Sequence, residues 1–265
     1  MTKTKIEWLD GGYTWNPVTG CLNQCPYCYA EKFTKRFKGA DKHISTLHAG
    51  TEKCKLYELR YPAKIKGRNA SYPFGFSPTF HRYRLAEPQG KKKPQNIFVC
   101  SMADLFGEWV PDEWIELVYQ ACEQAPQHRY LFLTKNPSGI FRDSIQLMKD
   151  AWYGTTITMQ RNLERNGFLP LSGKRFLSIE PLLEQIDLDE RPYRSAIPFT
   201  DWVIIGAETG NRKGKVIPKR EWIENIVNEC RKHNVPVFMK NSLAKIWGEP
   251  LIQEYPWKGK EANNA

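Results

Sequence analysis

Short apolar runs alternate with amphipathic stretches along most of this chain. The runs are rich in β-branched and aromatic residues, which is typical of strands buried in a sheet. They cover residues 13–15, 96–102, 130–134, 152–158, 175–180, 201–206 and 236–240. Strands that alternate with helices favour an α/β fold with a parallel sheet and helices outside it. About seven strands predict a partial or near-closed (β/α) barrel better than an open sheet.

Helical periodicity marks the stretches between the runs. One helix is predicted to begin at Pro111–Asp112, and another from about Glu221, because apolar residues recur three and four apart in both. Ser138 is predicted to cap a further helix with a stripe of Phe141, Ile145 and Met148. A short helix is expected around Leu163. The cysteines on the two periodic faces, Cys122 and Cys230, are expected to be core residues.

The segment between Tyr29 and Asn96 lacks this alternation. Proline follows Tyr61, Tyr72, Ser77 and Glu87, so its second half should be rich in loops. We therefore interpret residues 1–265 as a single barrel domain, in which residues 32–95 form a basic, aromatic insertion or lid.

Charge is concentrated in that segment. The chain has 39 Lys and Arg against 29 Asp and Glu, a net charge of +10. Residues 32–93 alone hold 16 basic and 4 acidic residues, with nine aromatic ones. Such a mixture suits phosphate neutralisation and base stacking, and hence contact with nucleic acid. A solvated basic surface is the competing interpretation.

Two observations bear on location. No apolar run approaches the ~20 residues of a membrane-spanning helix. Residues 1–7 lack the apolar region of a secretory signal. We expect a cytoplasmic protein that does not enter a membrane.

Three of the seven cysteines form a cluster, Cys21, Cys25 and Cys28, with C-x3-C-x2-C spacing. In a reducing compartment such a cluster holds metal more often than a disulfide. Three thiolates can bind three irons of a 4Fe–4S cluster and leave the fourth iron open to a ligand. Zinc, with Cys54 or His43 as a fourth ligand, is an alternative, and reactive or inert thiols are another.

This spacing, directly after a first strand and with Tyr27 before the third cysteine, resembles the radical S-adenosylmethionine superfamily. The flanking sequence resembles a narrower group of phage- and bacteria-associated three-Cys-motif proteins of uncertain function, and the cysteine motif is also similar to that of spore photoproduct lyase. The matching stretches are residues 15–21, 28–31, 98–106, 133–135, 176–181, 205–210 and 238–240. Many members of the narrower group have a longer spacing between the first two cysteines.

The resemblance implies a reaction. The 4Fe–4S cluster would bind S-adenosylmethionine and, with an electron from a donor such as flavodoxin or ferredoxin, cleave it to methionine and a 5′-deoxyadenosyl radical. That radical would abstract hydrogen from a substrate. Nucleic acid, undergoing base modification or repair, is the favoured substrate because of the basic segment. A peptide or small metabolite is the first alternative, and a non-catalytic, zinc-containing nucleic-acid-binding protein is the second.

Active-site residues of β/α barrels lie at the carboxyl ends of the strands. Here those ends carry Ser101, Asp104, Thr134, Lys135, Thr156, Thr158, Glu180, Glu208 and Lys240. The resemblance implies that the first six of these, with Tyr27, bind the cofactor: Ser101 and Asp104 the methionine amino group, Thr156 and Thr158 the ribose or carboxylate. It implies that Glu180, Glu208 and Lys240 face cosubstrate or substrate as catalytic residues. The alternative is that Glu180, Glu208, Lys135 and Lys240 only neutralise one another.

Overall fold

A computed structural model describes residues 1–37, 47–49, 55–142, 145–163, 169–170, 173–189 and 197–258. The fold is mixed α/β and contains a large parallel sheet. The chain divides into two compact units. The first comprises Met1–Thr4, Gly11–Phe132 and Arg142–Leu147; the second comprises Lys5–Asp10, Leu133–Phe141 and Met148–Ala265. None of the described helices combines the length and apolar character needed to cross a membrane.

The secondary structure consists of short strands and few helices. In chain order the strands are β1 (Thr2–Lys3), β2 (Tyr13–Trp15), β3 (Val18–Thr19), β4 (Leu47–Ala49), β5 (Leu56–Leu59), β6 (Lys64–Ile65), β7 (Arg68–Asn69), β8 (Thr79–His81), β9 (Asn96–Val99), β10 (Arg129–Thr134), β11 (Trp152–Thr156), β12 (Lys174–Ile179), β13 (Trp202–Ile205) and β14 (Val237–Met239). The α-helices are α1 (Tyr29–Thr34), α2 (Asp112–Glu123), α3 (Arg220–Lys232) and α4 (Ala244–Trp247).

Parallel strands form the centre of the first unit. Strand β9 pairs in parallel with β2 on one side and β10 on the other, and β1 adds to β2 in antiparallel fashion. Trp15 and Ile97 are fully buried in this sheet. The indole of Trp15 donates to the carbonyl of Arg84 at 2.9 Å, so its polar N–H is satisfied in the core. Burial of these side chains fixes the register of the paired strands, and with it which residues stand at their carboxyl ends.

The insertion is more regular than its proline content predicted. Strands β3, β8, β5 and β4 form a second sheet in that order, and β6 and β7 form a hairpin. Pro78 precedes β8 and lacks an N–H, but its carbonyl still accepts the amide of Tyr57 at 3.0 Å. Prolines therefore border these strands without interrupting the ladder. The part of the insertion at 38–46 and 50–54 lies outside the described residues.

In the second unit, β11, β12, β13 and β14 pair in parallel in that order. Helix α3 contributes Ile223, Ile226 and Cys230 to an apolar core together with residues of these strands. The predicted core positions of Cys122 and Cys230 are confirmed, because both are fully buried. Such burial is the main stabilising contribution to the unit.

All seven predicted strands occur, with ends shifted by up to three residues, and the helices from Asp112 and Arg220 are confirmed. The helix predicted from Ser138 is wrong. A 3-10 turn covers Pro137–Ile140, and residues 145–148 are not helical. The hydroxyl of Ser138 donates to the side chain of Asn136 instead of capping a helix, and Phe141 is 53% exposed, so no apolar stripe is buried there. Around Leu163 the described residues form a 3-10 turn over 160–163, and the rest of the predicted short helix, from 164 to 168, lies outside the described residues. The closure of a barrel and the single-domain interpretation stay predictions.

Candidate metal centre

The three clustered cysteines lie on the loop that joins β3 to α1 in the first unit. All three are half-buried free thiols. Cys28 is the N-cap of α1, and its sulfur accepts the amide of Glu31 at 3.4 Å. The sulfur of Cys21 accepts the amide of Asn23 at 3.5 Å. Backbone donors thus point at two of the three sulfur atoms, and hydrogen bonds of this kind stabilise negative charge on sulfur.

Gly20 sets the start of this loop. Its φ is +85°, and a Cβ built there would lie 2.3 Å from the carbonyl oxygen of Ser77. Its amide donates to the carbonyl of Met102 at 2.9 Å, and it forms a parallel bridge with Ala103. Only glycine combines this conformation with so close an approach of two backbones. The segment after β9 is thereby held beside Cys21.

Polar side chains from the loop and from residues on either side of it form hydrogen bonds with the segment after β9. The side-chain oxygen of Asn16 accepts from the Ser101 hydroxyl at 3.2 Å and from the amide of Met102 at 3.0 Å. The hydroxyl of Tyr29 donates to the carbonyl of Ser101 at 2.9 Å. The amide of the Asn23 side chain donates to Asp104 at 3.0 Å. The structure therefore brings two residues predicted to bind cofactor, Ser101 and Asp104, against the cysteine loop.

Burial and a neighbouring carboxylate disfavour a bare thiolate at Cys21. Burial, reinforced by the nearby charge of Asp104, raises the pKa of Cys21 to about 12. The Asp104 side chain is itself almost fully buried, and it accepts the amide of Phe106 at 3.2 Å. A thiolate at this position needs a positive centre to offset the desolvation of its charge, and a bound metal ion supplies one.

Cys100, immediately before the same segment, has a different environment. Burial raises the pKa of its thiol to about 12, and its backbone adopts φ +58°. Its amide donates to the carbonyl of Trp15 at 2.8 Å. The residue therefore shapes the turn after β9 and is chemically inert.

Tyr27 lies on the cysteine loop in the first unit. The remaining predicted site residues belong to the second unit and lie at or just beyond the ends of their strands. Thr134 is the last residue of β10 and Thr156 the last of β11, while Glu180 follows β12 and Lys240 follows β14. The hydroxyl of Thr158 donates to the side-chain oxygen of Asn162 at 3.0 Å. The backbone oxygen of Thr134 accepts the hydroxyl of Thr155 at 3.3 Å.

Glu180 and Lys240 form an ion pair across the end of β13. A Cβ at Gly206, which follows β13, would lie 3.0 Å from Cδ of Lys240 and 3.2 Å from the carboxyl carbon of Glu180. The pair therefore lies over a glycine whose missing side chain leaves room for it.

Glu208 pairs with a residue that the sequence analysis did not name. Arg212 donates to both its carboxylate oxygens, at 2.6 and 2.8 Å. These bonds hold the pKa of Glu208 below its usual value. The expected neutralisation within the strand-end set thus holds for Glu180 with Lys240, whereas the partner of Glu208 lies four residues further along its own loop.

A family model described as "Protein of unknown function (DUF5131)" matches residues 3–263. The chain belongs to this family. A comparison with curated proteins finds no match. Two solved structures are similar, a cysteine-to-serine mutant of spore photoproduct lyase and a double mutant of the same protein with bound AdoMet and dinucleoside spore photoproduct. Each is 9% identical over 89% of this chain and 74% of that chain, with TM-scores of 0.42 and 0.41. A likeness at this level carries no argument about chemistry.

By residue type alone, the donor set of this family member suits an iron–sulfur cluster. Three thiols stand on one loop, and backbone amides donate to the sulfur of Cys21 and of Cys28. Hydrogen bonds to cluster sulfurs are one of the means by which proteins tune such centres. Within the described ranges, no group of three or more His, Cys, Asp or Glu side chains is arranged to hold a metal ion. The alternative fourth ligands, His43 and Cys54, fall outside those ranges.

Sequence reasoning missed Asn16, Asn23 and Arg212. Asn16 directly follows β2, so the strand-end rule that selected Ser101 would have selected it too. The sequence signal for Asn23 was its position between two cysteines, which does not indicate a side-chain partner. Arg212 stands four residues after Glu208, a spacing that indicates a pair on a helix but not on the irregular loop found here.

Proposed function

We propose that this chain is a radical S-adenosylmethionine enzyme whose 4Fe–4S cluster is held by Cys21, Cys25 and Cys28. The observation that carries the proposal is the C-x3-C-x2-C loop fastened to the segment after β9, at the carboxyl end of parallel strands. Cofactors of α/β proteins bind at such ends, where loops rather than strands present polar groups.

The chain's own residues then have definite tasks. When bound, the cluster supplies the electron that cleaves S-adenosylmethionine to methionine and a 5′-deoxyadenosyl radical. Asp104, as a buried carboxylate, complements the ammonium group of methionine, and Ser101 adds a hydroxyl beside it. Asn16 holds the segment that carries both residues.

The residues of the second unit keep their roles within this proposal. Thr134, Lys135, Thr156 and Thr158 are the cofactor-binding candidates of this unit, and Glu180, Glu208 and Lys240 are its catalytic candidates. Tyr27 is the corresponding cofactor-binding candidate of the first unit. The ion pairs of Glu180 with Lys240 and of Glu208 with Arg212 hold each carboxyl group in a fixed orientation. Such groups suit electrostatic positioning of a substrate better than proton transfer.

We further propose nucleic acid as the substrate class. Residues 32–93 carry a local excess of twelve positive charges and nine aromatic residues. Phosphate neutralisation and stacking on rings are the two interactions that bind an unpaired nucleotide. A peptide or small-metabolite substrate would leave this concentration of charge unused.

The class is tested by anaerobic purification with iron, sulfide and zinc counts, followed by reduction with dithionite in the presence of S-adenosylmethionine. We expect about four irons per chain, the content of one 4Fe–4S cluster, and release of 5′-deoxyadenosine. One zinc per chain with intact S-adenosylmethionine would contradict the proposal and leave a structural metal site.

Single substitutions locate the centre. Cys21→Ala, Cys25→Ala and Cys28→Ala should each abolish iron loading and 5′-deoxyadenosine release, because a cluster with one open iron needs all three thiolates. Cys122→Ala is the matched control, since that thiol is fully buried in the core and should leave both measurements unchanged. Normal iron content in the three loop variants would sink the assignment.

A further inference from the structure

A polar cavity lies in the first unit beside Asn16, the residue that holds the segment after β9. Its volume is about 360 Å³, within the range of small-ligand clefts. Its lining includes Asn16, Ser71, Tyr72, Tyr83 and Arg84. Asn16 therefore contributes to both the cavity and the cysteine loop's surroundings. Its backbone carbonyl accepts a hydrogen bond from Arg84, and its side chain holds the segment after β9.

Arg84 gives this cavity a positive charge. Its guanidinium donates to the carbonyls of Asn16 at 2.9 Å and of Ser71 at 3.4 Å, and among the described residues it forms no ion pair with a carboxylate. The acidic residue of the lining, Glu87, is paired with the amino group of Met1. A guanidinium has five N–H donors in a fork that matches phosphate oxygens, so donors remain for an anion.

The field of Arg84 extends through the cavity wall. Its charge adds to burial in lowering the pKa of His81. It also opposes burial, which raises the pKa of Tyr72. Both contributions of Arg84, the lowering at His81 and the opposition to the rise at Tyr72, have the sign expected of a cation.

An aromatic cluster adjoins the cavity and consists of Phe33, Phe37 and Tyr72. Ring centroids lie 5.1 Å apart for Phe33 and Phe37, 5.8 Å for Phe33 and Tyr72, and 5.9 Å for Phe37 and Tyr72. Phe33 and Phe37 are 41% and 47% exposed. Tyr72 belongs both to the cluster and to the cavity lining. The cluster begins on α1, the helix that Cys28 caps.

The surrounding chain has the charge of a polyanion site. Residues 60–86 contain six Lys and Arg and no Asp or Glu. The hairpin of β6 and β7 exposes Lys64, Lys66 and Arg68. Asn69, its last residue, and Pro62, two residues before its first strand, line the cavity. Cations thus stand on the rim of a cavity whose lining includes the guanidinium of Arg84.

We propose that the aromatic cluster and the cavity together bind single-stranded nucleic acid, with an unstacked base on Phe33 and Phe37 and a phosphate at Arg84. Stacking on exposed rings requires a free base face, which a duplex does not offer. The proposal deepens the function proposed above, and it rests on that function for the statement that the bound strand is a substrate.

Binding is measured by fluorescence anisotropy with a labelled 12-nucleotide strand of mixed sequence, as DNA and as RNA, and with the matching duplex, over a series of salt concentrations. We expect tighter binding of at least one single strand than of its duplex. Phe37→Ala should weaken single-strand binding by about 5- to 150-fold, the range measured for removal of one stacking ring, with an unchanged salt slope. Arg84→Gln should weaken binding and lower the salt slope by about one.

Phe141→Ala is the control for the first variant, because that ring is 53% exposed in the second unit and should leave affinity unchanged. Arg84→Lys controls for the second, since it keeps the charge and should keep the slope while losing the fork. Equal affinity for single strand and duplex, or equal losses in Phe37→Ala and Phe141→Ala, would overturn the proposal. So would an Arg84→Gln slope equal to that of the unsubstituted protein.

Iron content and 5′-deoxyadenosine release are measured on the same preparations. Strand binding that depends on Phe37 and Arg84 in a protein without iron would support the binding site and contradict the radical enzyme. Iron loading and 5′-deoxyadenosine release without strand binding would support the radical enzyme and contradict the binding site. The two proposals therefore fail separately.

Discussion

Gly20 is the residue on which the position of the cysteine loop depends most directly. Gly20→Ala adds a Cβ that would lie 2.3 Å from a backbone oxygen, at a φ that alanine avoids. We expect a loss of about 2–4 kcal/mol in the free energy of unfolding, from overpacking together with backbone strain. Chemical denaturation measures it.

The control for this substitution is Gly90→Ala. No atom lies within 4 Å of a Cβ built at Gly90, and its φ is not positive. Stability should therefore change by less than about 1 kcal/mol. Equal losses in the two variants would show that the close approach at Gly20 does not constrain the loop.

His81 makes stability depend on pH. The imidazole is fully buried between the hydroxyls of Thr19, at 2.9 Å, and Tyr83, at 3.3 Å, and burial holds its pKa well below the usual value. The folded state therefore binds fewer protons than the unfolded state once pH falls below about 6.5. The contribution of His81 to stability should therefore be full above that pH. Below it, the free energy of unfolding should fall by up to about 1.4 kcal/mol per pH unit.

Urea unfolding between pH 5 and pH 8 tests this dependence. His81→Asn should remove the part of the slope that lies below pH 6.5, although it lowers stability at neutral pH. An identical slope in the variant would assign the pH dependence to other groups.

At the scale of elements, Asn16 couples the end of β2 to the segment after β9. Asn16→Ala removes the acceptor of both the Ser101 hydroxyl and the Met102 amide. Each hydrogen bond of this kind contributes about 0.5–1.5 kcal/mol, and an amide left without a partner costs more. We expect hydrogen exchange at the Met102 amide to accelerate by about tenfold or more.

Asn69→Ala is the comparison for Asn16→Ala, because Asn69 is an exposed asparagine of the same unit. Exchange at Met102 should not change in that variant. Slow exchange retained in Asn16→Ala would mean that the bond from Gly20 to Met102 holds the segment alone.

At the scale of the whole molecule, the excess of positive charge belongs to one part of the chain, and the remainder is nearly neutral. Lys92 and Lys93 are exposed, and the Lys91 ammonium lies 4.8 Å from the ring centre of Tyr13. Replacing these three lysines by alanine should lower the salt slope of nucleic-acid binding, by about one for each phosphate that the protein no longer neutralises.

Replacement of Lys213, Lys215 and Lys219 by alanine is the matched triple substitution. These lysines are exposed in the second unit and lie outside the basic segment, so the salt slope should stay the same. A slope unaffected by removal of Lys91, Lys92 and Lys93 would place the phosphate-binding cations elsewhere in the segment.

Local pattern was enough to predict most elements of this fold. Six of the seven predicted strands are largely buried apolar runs, the exception being the half-buried β2. Helices α2 and α3 repeat apolar residues at helical spacing, so each of these signals lies within one window of the chain. Around Ser138 the same reasoning failed because a 3-10 turn satisfies Asn136 and Ser138 locally. The sheet of β3, β8, β5 and β4 escaped prediction because two of its three pairings, β3 with β8 and β5 with β8, join residues far apart in sequence.

The sequence by itself determined the cysteine spacing, the strand-end positions and the concentration of charge, since each is a property of neighbouring residues. Tertiary structure decided which partners those residues meet. It placed Asn16 and Asn23 against the segment of Ser101 and Asp104. It also placed Tyr72 in contact with Phe37 and in the lining of the cavity that includes Arg84. Such pairings depend on the register of strands and on close backbone approach, which packing of the folded chain sets and no local pattern encodes.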